Sequence, residues 1–361
     1  MPEIFRCLFR YVLACVLLLT LSACAQLGYY AQAMQGQLAL RSSARPIDQW
    51  LADPKVADTL KERLKRVREI RAFAATELGL PDNGSYKKYA DLKRSYVMWN
   101  VIAAPELSVE PKQWCFPVAG CVNYRGYYQQ DAAQGFAQAL QQSGFDVFVA
   151  GVPAYSTLGW FDDPVLSSFI TYPDTELARL IFHELAHQVA YASGDSQFNE
   201  SFATAVEEAG VARWLTLTGN EQQRGEYHLF QGRQQDFLTL LKSHRQQLQT
   251  LFASTLSDEE KRSQKQKIFQ SLQEHYRILK QEKWAGYTGY DRWFNAPLSN
   301  AHLALAATYH DLAPAFQRLL AEKKTLPAFY QAVRQLARLN QQARHEQLMQ
   351  RALSSGDVAP D

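Results

Sequence analysis

The spacing of apolar residues predicts helices towards both ends of the chain and a mixture of strands and helices between them. From Gln32 to Leu78 the apolar positions recur at helical spacing, with a break near Arg45-Pro46. The elements that follow are predicted as strand, strand, helix and strand, at residues 96–103, 122–128, 132–143 and 146–152. Strands mixed with helices in this way predict an α+β fold class.

After Trp214 the pattern becomes helical and rich in Gln, Arg and Lys. Ser257 and Glu260 form a capping-box signature, and one apolar stripe follows it (Ile268, Phe269, Leu272, Tyr276 and Leu279). A last helix is predicted from about Pro327 to Met349. We therefore predict four regions: a leader at 1–23, an N-terminal helical region at 24–90, a mixed core at 91–218 and a helical C-terminal region at 219–361.

The leader has the pattern of an export signal. Arg6 and Arg10 precede an apolar run from Tyr11 to Leu21, which is too short, at about eleven residues, to span a bilayer as a permanent helix. The ending Leu-Ser-Ala-Cys resembles a lipobox, which implies that Cys24 carries lipid as the first mature residue. Because Ala25 follows instead of Asp, analogy with such lipoproteins implies a periplasm-facing protein on the outer membrane. An ordinary cleaved signal or an uncleaved anchor is the alternative.

Two cysteines remain once Cys7, Cys15 and Cys24 are assigned to the leader and the lipid. Cys115 and Cys121 bracket a Pro/Gly turn, which in an exported chain predicts a local disulfide. A pair of buried thiols is the alternative, since the sequence does not give their Cα separation.

The charge balance sets limits on the partners. There are 38 Lys plus Arg against 36 Asp plus Glu, so no strong electrostatic field towards nucleic acid is implied. The membrane is therefore expected as a partner only through the lipid on Cys24. The sequence does not indicate any protein partner.

The strongest chemical signal lies in a helix predicted to start at Asp174 and to stop at Gly194. It contains His183-Glu184-Leu185-Ala186-His187, an HExxH motif. Positions i and i+4 share a helix face, so His183 and His187 can direct ring nitrogens at one metal ion. Glu184 then lies beside that ion, where it can act on a water molecule as a general base.

A catalytic zinc site needs a third protein ligand and one open position. His187 lies seven residues before Gly194, and Glu200 lies six residues after it on a second predicted helix. At 1.5 Å per residue these arms are roughly 10 and 9 Å long, so a fold-back at Gly194 sets Glu200 opposite His187. We therefore predict Glu200 as the third ligand of one Zn²⁺ per chain.

Two further residues are predicted to support the ligands. Glu207 overshoots His187 by about two turns and is expected to accept a hydrogen bond from His183, as carboxylates near ligand imidazoles usually do. Asn199, directly before Glu200, is the second candidate. The alternative is a metal-free pair of core histidines whose hydrogen bonds are satisfied.

These motifs resemble those of known peptidases. HELAH followed by NESFATAVE resembles the gluzincin metallopeptidases, and Asn199 to Glu207 is similar to the corresponding helix of M1-type aminopeptidases. The twelve residues between His187 and Glu200 are fewer than that group usually has. The stretches WCFPVAGCVNYRGYY, AYSTLGWFDDPVLS and HELAHQ together resemble a bacterial lipoprotein family of predicted aminopeptidases, over most of the mature chain.

The resemblance implies a zincin-like (gluzincin) core with a small mixed or antiparallel sheet and an active-site helix. It also implies that the segment before that helix is a sheet edge that binds the substrate; its residues are Ala154, Tyr155, Ser156 and Thr157. An ordinary loop is the alternative there. Gluzincins often use a downstream Tyr or His to stabilise the oxyanion, and the candidates by position are Tyr290 and Tyr309, then Tyr287 and His310.

The expected function is zinc-dependent hydrolysis of peptide bonds in the cell envelope, with a peptide as substrate. An aminopeptidase is expected, although the Gly-x-Met-Glu-Asn stretch that grips the substrate amine in M1-type enzymes is absent. An envelope endopeptidase is therefore one alternative. The other is a non-catalytic lipoprotein, stabilised by zinc, that binds or chaperones a partner.

Overall fold

The computed structural model describes residues 27–116, 120–304 and 312–353. The predicted leader and Cys24 lie outside the described residues, as do Tyr309 and His310. Over the described part of the chain, no helix has both the length and the apolar content needed to cross a membrane.

The N-terminal region is helical, as its apolar spacing predicts. Helix α1 covers residues 27–43, and the short strand β1 (Arg45–Pro46) breaks it from α2 (Ile47–Ala52) and α3 (Asp58–Thr76). One position of the buried α3 stripe is Arg71, whose Nε donates to the carbonyl of Ser85 at 3.0 Å and whose Nη2 donates to that of Pro81 at 2.6 Å. These bonds replace water and allow a guanidinium to be buried there.

The largest sheet is antiparallel and has the order β6-β3-β7, formed by β3 (Met98–Pro105), β6 (Arg125–Tyr127) and β7 (Phe145–Val152). Helix α4 (Gln130–Gln142) packs on one face, where Trp99, Val101 and Ala103 meet its Ala133 and Leu140. Because side chains alternate along a strand, Met98 and Asn100 project from the opposite face.

Short strands make two smaller sheets. β2 (Lys88–Ala90) pairs with β1 in antiparallel fashion and with β8 (Val165–Leu166) in parallel. β4 (Trp114–Phe116) and β5 (Gly120–Val122) pair with Cys115 opposite Cys121, and these two residues form a disulfide, as predicted.

The β4–β5 hairpin lies against the turn at Gly194. Gly120 has a φ of +74°, and a Cβ atom there would lie 2.5 Å from the backbone nitrogen of Gly194, so the close contact requires glycine.

The rest of the described chain is helical. The helices are α5 (Asp174–Ala186), α6 (Ser196–Thr218), α7 (Glu221–Ala253), α8 (Asp258–Ile278) with a π-helical turn at Leu279–Lys283, α9 (Asp291–Phe294), α10 (described over 300–304), α11 (Ala313–Lys323), α12 (Leu326–Ala337) and α13 (Gln341–Leu353). The prediction of one helix from Pro327 to Met349 was wrong. The chain breaks at Arg338–Asn340 because the Asn340 side chain accepts from the Ala343 N–H at 2.9 Å and starts a new helix.

One hydrophobic core holds the two helices of the HExxH region in place. It includes Leu64 and Phe73 of α3, Phe182 of α5, Phe202 of α6 and, from the C-terminal helices, Phe316, Phe329 and Leu348. A second cluster lies between α7 and α8. Helices from both ends of the chain therefore share the core that fixes α5 and α6.

Candidate metal centre

Helix α5 brings the two histidines of the motif together at its C-terminal end. His183 lies in the last turn, and His187 caps the helix while still in right-handed helical conformation (φ −58°, ψ −23°). The ring centroids are 4.9 Å apart. The i, i+4 geometry that the motif needs is thus present although the helix ends at Ala186.

The predicted helix end at Gly194 was wrong. The N–H groups of Gln188 and Val189 bond back three residues, to Leu185 and Ala186, which tightens the chain and ends the α-helix. Gly194 instead takes a φ of +80° in the loop that leads to α6. The chain therefore folds back over residues 187–195 and not at Gly194 alone. Glu200 nevertheless lies near His187, as the comparison of arm lengths predicted, although the helix end assumed there was wrong.

Helix α6 supplies the third candidate ligand. Its N-terminus is capped by Asp195, whose Oδ1 accepts from the Phe198 N–H at 3.1 Å. Glu200 Oε2 then lies 3.2 Å from His183 Nε2 and 3.8 Å from His187 Nε2. Tetrahedral zinc with bonds of about 2.1 Å separates its ligand atoms by about 3.4 Å. The three donors, all within 4.8 Å of one another, fit around one such ion.

A chain of charged groups lies behind His183. Its Nδ1 is 2.8 Å from Glu207 Oε2, and Arg179 Nη1 donates to Glu207 Oε1 at 3.1 Å. Burial raises the pKa of Glu207, but Arg179 and His183 outweigh it and hold that pKa below its usual value. The ionised Glu207 accepts a hydrogen bond from the His183 Nδ1–H group, which orients the ring so that Nε2 faces Glu200. This is the contact predicted for Glu207.

His187 has a different environment. Burial lowers its pKa to about 4, so the imidazole is neutral, which is the form that binds metals. Its Nδ1 is buried and has no hydrogen-bond partner among the residues that the structure describes.

Asn199 supports the loop between the ligands. Its Oδ1 accepts from the Ala192 N–H at 2.7 Å and its Nδ2 donates to the Ala192 carbonyl at 2.9 Å. It therefore holds the chain between His187 and Glu200 in shape and does not bond to a ligand side chain.

The three donors and Glu184 line one cavity of about 390 Å³. Its walls are α5, α6 and the sheet face that carries Met98 and Asn100. Burial raises the pKa of Glu184 to about 7; Glu200 acts in the same direction, and His183 opposes them. A carboxyl group with a pKa near neutrality can both accept and donate a proton. Glu184 lies in the same cavity as the three candidate ligands but is not one of them.

The segment predicted as a sheet edge is not a strand, because β7 ends at Val152. Ala154, Tyr155 and Ser156 line the cavity as irregular chain. Thr157 bonds to Asp163 instead, with its N–H and its hydroxyl each 2.8 Å from a carboxylate oxygen. The sheet has β6 at one edge and β7 at the other, and among the described residues β7 pairs only with β3.

Tyr290 lies away from the cavity. Its ring stacks on Phe237 at 4.2 Å and packs near Trp284, in the cluster between α7 and α8. Tyr287 packs in the same cluster, under Arg233. Tyr309 lies outside the described residues, so its predicted role stays a prediction.

Several polar residues to which the sequence analysis gave no role also line the cavity, and Tyr124 and Asn100 are two of them. Tyr124 precedes β6, and burial, with Glu200 and Glu184 nearby, raises its pKa well above the usual value, so it keeps its proton. Asn100 of β3 is 9% exposed, and its Oδ1 has no hydrogen-bond partner in the described chain. Tyr124 lies in the stretch WCFPVAGCVNYRGYY, whose resemblance gave it no role, and Asn100 lies in no motif; the fold brings both to the ligands.

Comparison with known proteins gives one match. The model of the family described as "Putative aminopeptidase" matches residues 28–348. Neither the curated proteins nor the solved structures contain a match.

Proposed function

This chain belongs to the "Putative aminopeptidase" family, and we propose that it is a zinc-dependent peptidase that removes residues from the amino termini of peptides. The observation that carries the proposal is the convergence of His183, His187 and Glu200 in a cavity that also holds Glu184. Structural zinc sites use four protein ligands, whereas catalytic ones use three and leave a position open.

The donor set supports zinc as the metal. Two imidazole nitrogens and one carboxylate oxygen are a common catalytic zinc set, and hard cations such as Mg²⁺ prefer oxygen donors only. The neutral state of His187 and the orientation of His183 by Glu207 fit a metal at the shared side of the three donors. When bound, zinc would polarise the scissile carbonyl and lower the pKa of a water molecule towards about 7.

The proton transfers would fall to Glu184. Its carboxylate would take a proton from the attacking water and pass it to the leaving amine, which its pKa of about 7 suits. The Tyr124 hydroxyl, which stays protonated, would donate a hydrogen bond to the carbonyl oxygen as charge develops on it. We propose Tyr124 for this role in place of Tyr290, which lies elsewhere.

The size of the cavity favours the end of a peptide. A volume of about 390 Å³ is in the range of pockets that enclose a small ligand. Asn100 Oδ1, which has no partner within the described residues, would accept a hydrogen bond from the substrate there.

An envelope endopeptidase is the second candidate, and one observation favours it. The open edge of β7 runs to Val152 at the cavity wall, so an extended peptide could pair with it and continue past the site.

We further propose a zincin-like core and a location in the cell envelope. The antiparallel sheet beside α5 and α6 supports the first. The Cys115–Cys121 disulfide supports an oxidising compartment, and the lipobox-like sequence at Cys24 supports a lipid anchor on the outer membrane. Mass spectrometry of the mature amino terminus tests the anchor, since an unmodified Ala25 start would exclude it.

The experiment for the activity is a peptide-library digest read by mass spectrometry, with wild type, Glu184→Gln and, as matched control, Glu208→Gln of α6. Glu208 accepts from Gln317 and does not bond to a ligand. We expect loss of single amino-terminal residues, a decrease of about 10²–10⁴ in turnover for Glu184→Gln with zinc retained, and little change for the control. Internal cuts would indicate the endopeptidase. Wild-type turnover in zinc-loaded Glu184→Gln would refute the catalytic assignment.

A further inference from the structure

Helix α1 has two faces with different surroundings. Its inner face packs on the body of the protein: Tyr29 lines the cavity, the Gln32 side chain accepts from the Tyr128 N–H at 3.1 Å, and Gly36 lies so close to the Tyr128 ring that a Cβ atom would overlap it. The side chains that point the other way are Leu27, Tyr30, Met34 and Leu38. Their spacing of three and four residues places them on one stripe.

This stripe continues onto a neighbouring loop. Trp160 and Phe161 are also exposed, and the Arg41 guanidinium of α1 lies 4.4 Å from the Phe161 ring centre. We define the outer face as Leu27, Tyr30, Met34, Leu38, Trp160 and Phe161, which are between 40% and 71% exposed. The other exposed large apolar side chains of the described residues lie singly, on α6, α7 and α13 (Leu217, Leu229 and Met349). A grouped apolar surface of this kind marks a binding site.

We propose that the outer face rests on the lipid headgroup region of a bilayer, an inference that depends on the proposed lipid anchor at Cys24. Leu27 is three residues from Cys24, a reach of about 10 Å at most, so an anchored α1 must stay next to the bilayer. At seventeen residues α1 is about 25 Å long, enough to lie along the surface.

The composition of the outer face suits this partner. Trp and Tyr are preferred at the boundary between lipid and water, because their rings are apolar and carry one polar group. A shallow hollow beside Leu38 contains Arg41, which would face anionic headgroups; Lys88 in the same hollow lies 3.7 Å from the Asp162 carboxylate and is offset by it.

The docked orientation would also affect which substrates reach the cavity. Tyr29 of α1 and Leu158, two residues before Trp160, both line the cavity. The elements that contact lipid would thus form part of the cavity wall. The cavity would therefore receive peptide termini that are presented at the membrane surface.

Single-cysteine labelling of the full-length lipidated protein tests the proposal. In the mature chain Cys24 carries lipid and Cys115 is bonded to Cys121, so an introduced cysteine is the only free thiol. Met34→Cys, Trp160→Cys and the control Leu229→Cys on α7 would each carry an environment-sensitive NBD dye, on vesicles of phosphatidylethanolamine and phosphatidylglycerol. We expect a blue shift and loss of iodide quenching at 34 and 160, and neither at 229.

Three outcomes would overturn the proposal. Equal iodide quenching at all three positions of vesicle-bound protein would leave the anchor in place and exclude docking. If, in the absence of vesicles, protection of position 34 from iodide increases with protein concentration, the outer face binds a second copy of the chain instead. If mass spectrometry shows an unmodified Ala25 start, Cys24 is absent and the anchor fails independently; unshifted dye at 34 and 160 on the same vesicles then refutes docking as well.

Discussion

The most informative perturbation of the metal centre is Glu207→Gln, because it leaves the three donors in place. Glu207 is 3% exposed, and its Oε2 lies 2.8 Å from His183 Nδ1. Glutamine has nearly the same shape and can still offer one oxygen to His183. What it removes is the negative charge that holds the imidazole in the right tautomer and that also pairs with Arg179.

The size of the effect follows from this one contact. A hydrogen bond to a charged group contributes about 1.5–3 kcal/mol, and one between neutral groups about 0.5–1.5 kcal/mol. The difference of about 1–1.5 kcal/mol corresponds to about tenfold in zinc affinity. Arg179 keeps its bond to Glu176 at 3.1 Å but loses its second partner, which adds to the cost. We therefore expect zinc affinity to fall by about 10–100-fold, the range for residues that orient metal ligands.

The assay is competition for zinc with a chromogenic chelator at one fixed pH, because ligand protonation makes the affinity depend on pH. Glu208→Gln is the matched control, with the same chemical change one position along α6 and no contact with a ligand. Thermal unfolding of the metal-free proteins separates loss of affinity from loss of fold. An unchanged zinc affinity in Glu207→Gln, or an equal loss in Glu208→Gln, would refute the reasoning.

Three further predictions follow from the described contacts. Asn100→Ala should lower kcat/KM by about tenfold through loss of one substrate hydrogen bond, with zinc content unchanged; activity equal to wild type would exclude that bond. If the chain is exported as proposed, alkylation without reductant should leave Cys115 and Cys121 unlabelled, and free labelling would contradict the disulfide. Asp195→Ala should lower the free energy of unfolding in urea by about 3–5 kcal/mol, because it leaves the buried Arg344 guanidinium without its ion-pair partner. The control Asp48→Ala removes an exposed ion pair and should lower it by less than about 1 kcal/mol. Equal losses in the two variants would contradict the stabilising role of the buried pair.

The contribution of Asp195 also has a defined pH dependence. Burial would raise its pKa, but His345, the Phe198 N–H and Arg344 outweigh burial and lower it. A folded-state pKa below the unfolded one stabilises the protein above the unfolded value of about 3.9. The stability from Asp195 should therefore be complete near neutral pH and be lost only as the pH falls through the lowered value.

The residues that can hold a metal were predictable because they lie on helices. The i, i+4 rule relates His183 to His187, and the rise per residue places Glu200 and Glu207 at successive levels of a returning helix. The connection was not predictable in the same way. Its course depends on Asn199, which binds the backbone of Ala192 and so competes with continuation of α5, and no local periodicity encodes that contact.

The opposite wall of the cavity could not be read from the sequence. Asn100 lies within a strand-like run, but which face of β3 meets the cavity is set by pairing with β7 and by packing of α4. Strands such as β2 and β8, with three and two residues, are too short to show a pattern and pair across a long stretch of chain. Tyr290 was chosen by its position after the motif alone, and packing against Phe237 decides where it lies.

The cap of α6 has a consequence for the order in which the protein matures. Asp195 Oδ2 accepts from Arg344 and lies 2.9 Å from His345 Nε2, so the helix that carries Glu200 is secured by residues 149 and 150 positions later in the chain. If the chain is exported amino terminus first, as proposed, the HExxH helix is translocated long before α13, and contacts so distant in sequence form late. The candidate metal centre would then be completed only after α13 has followed.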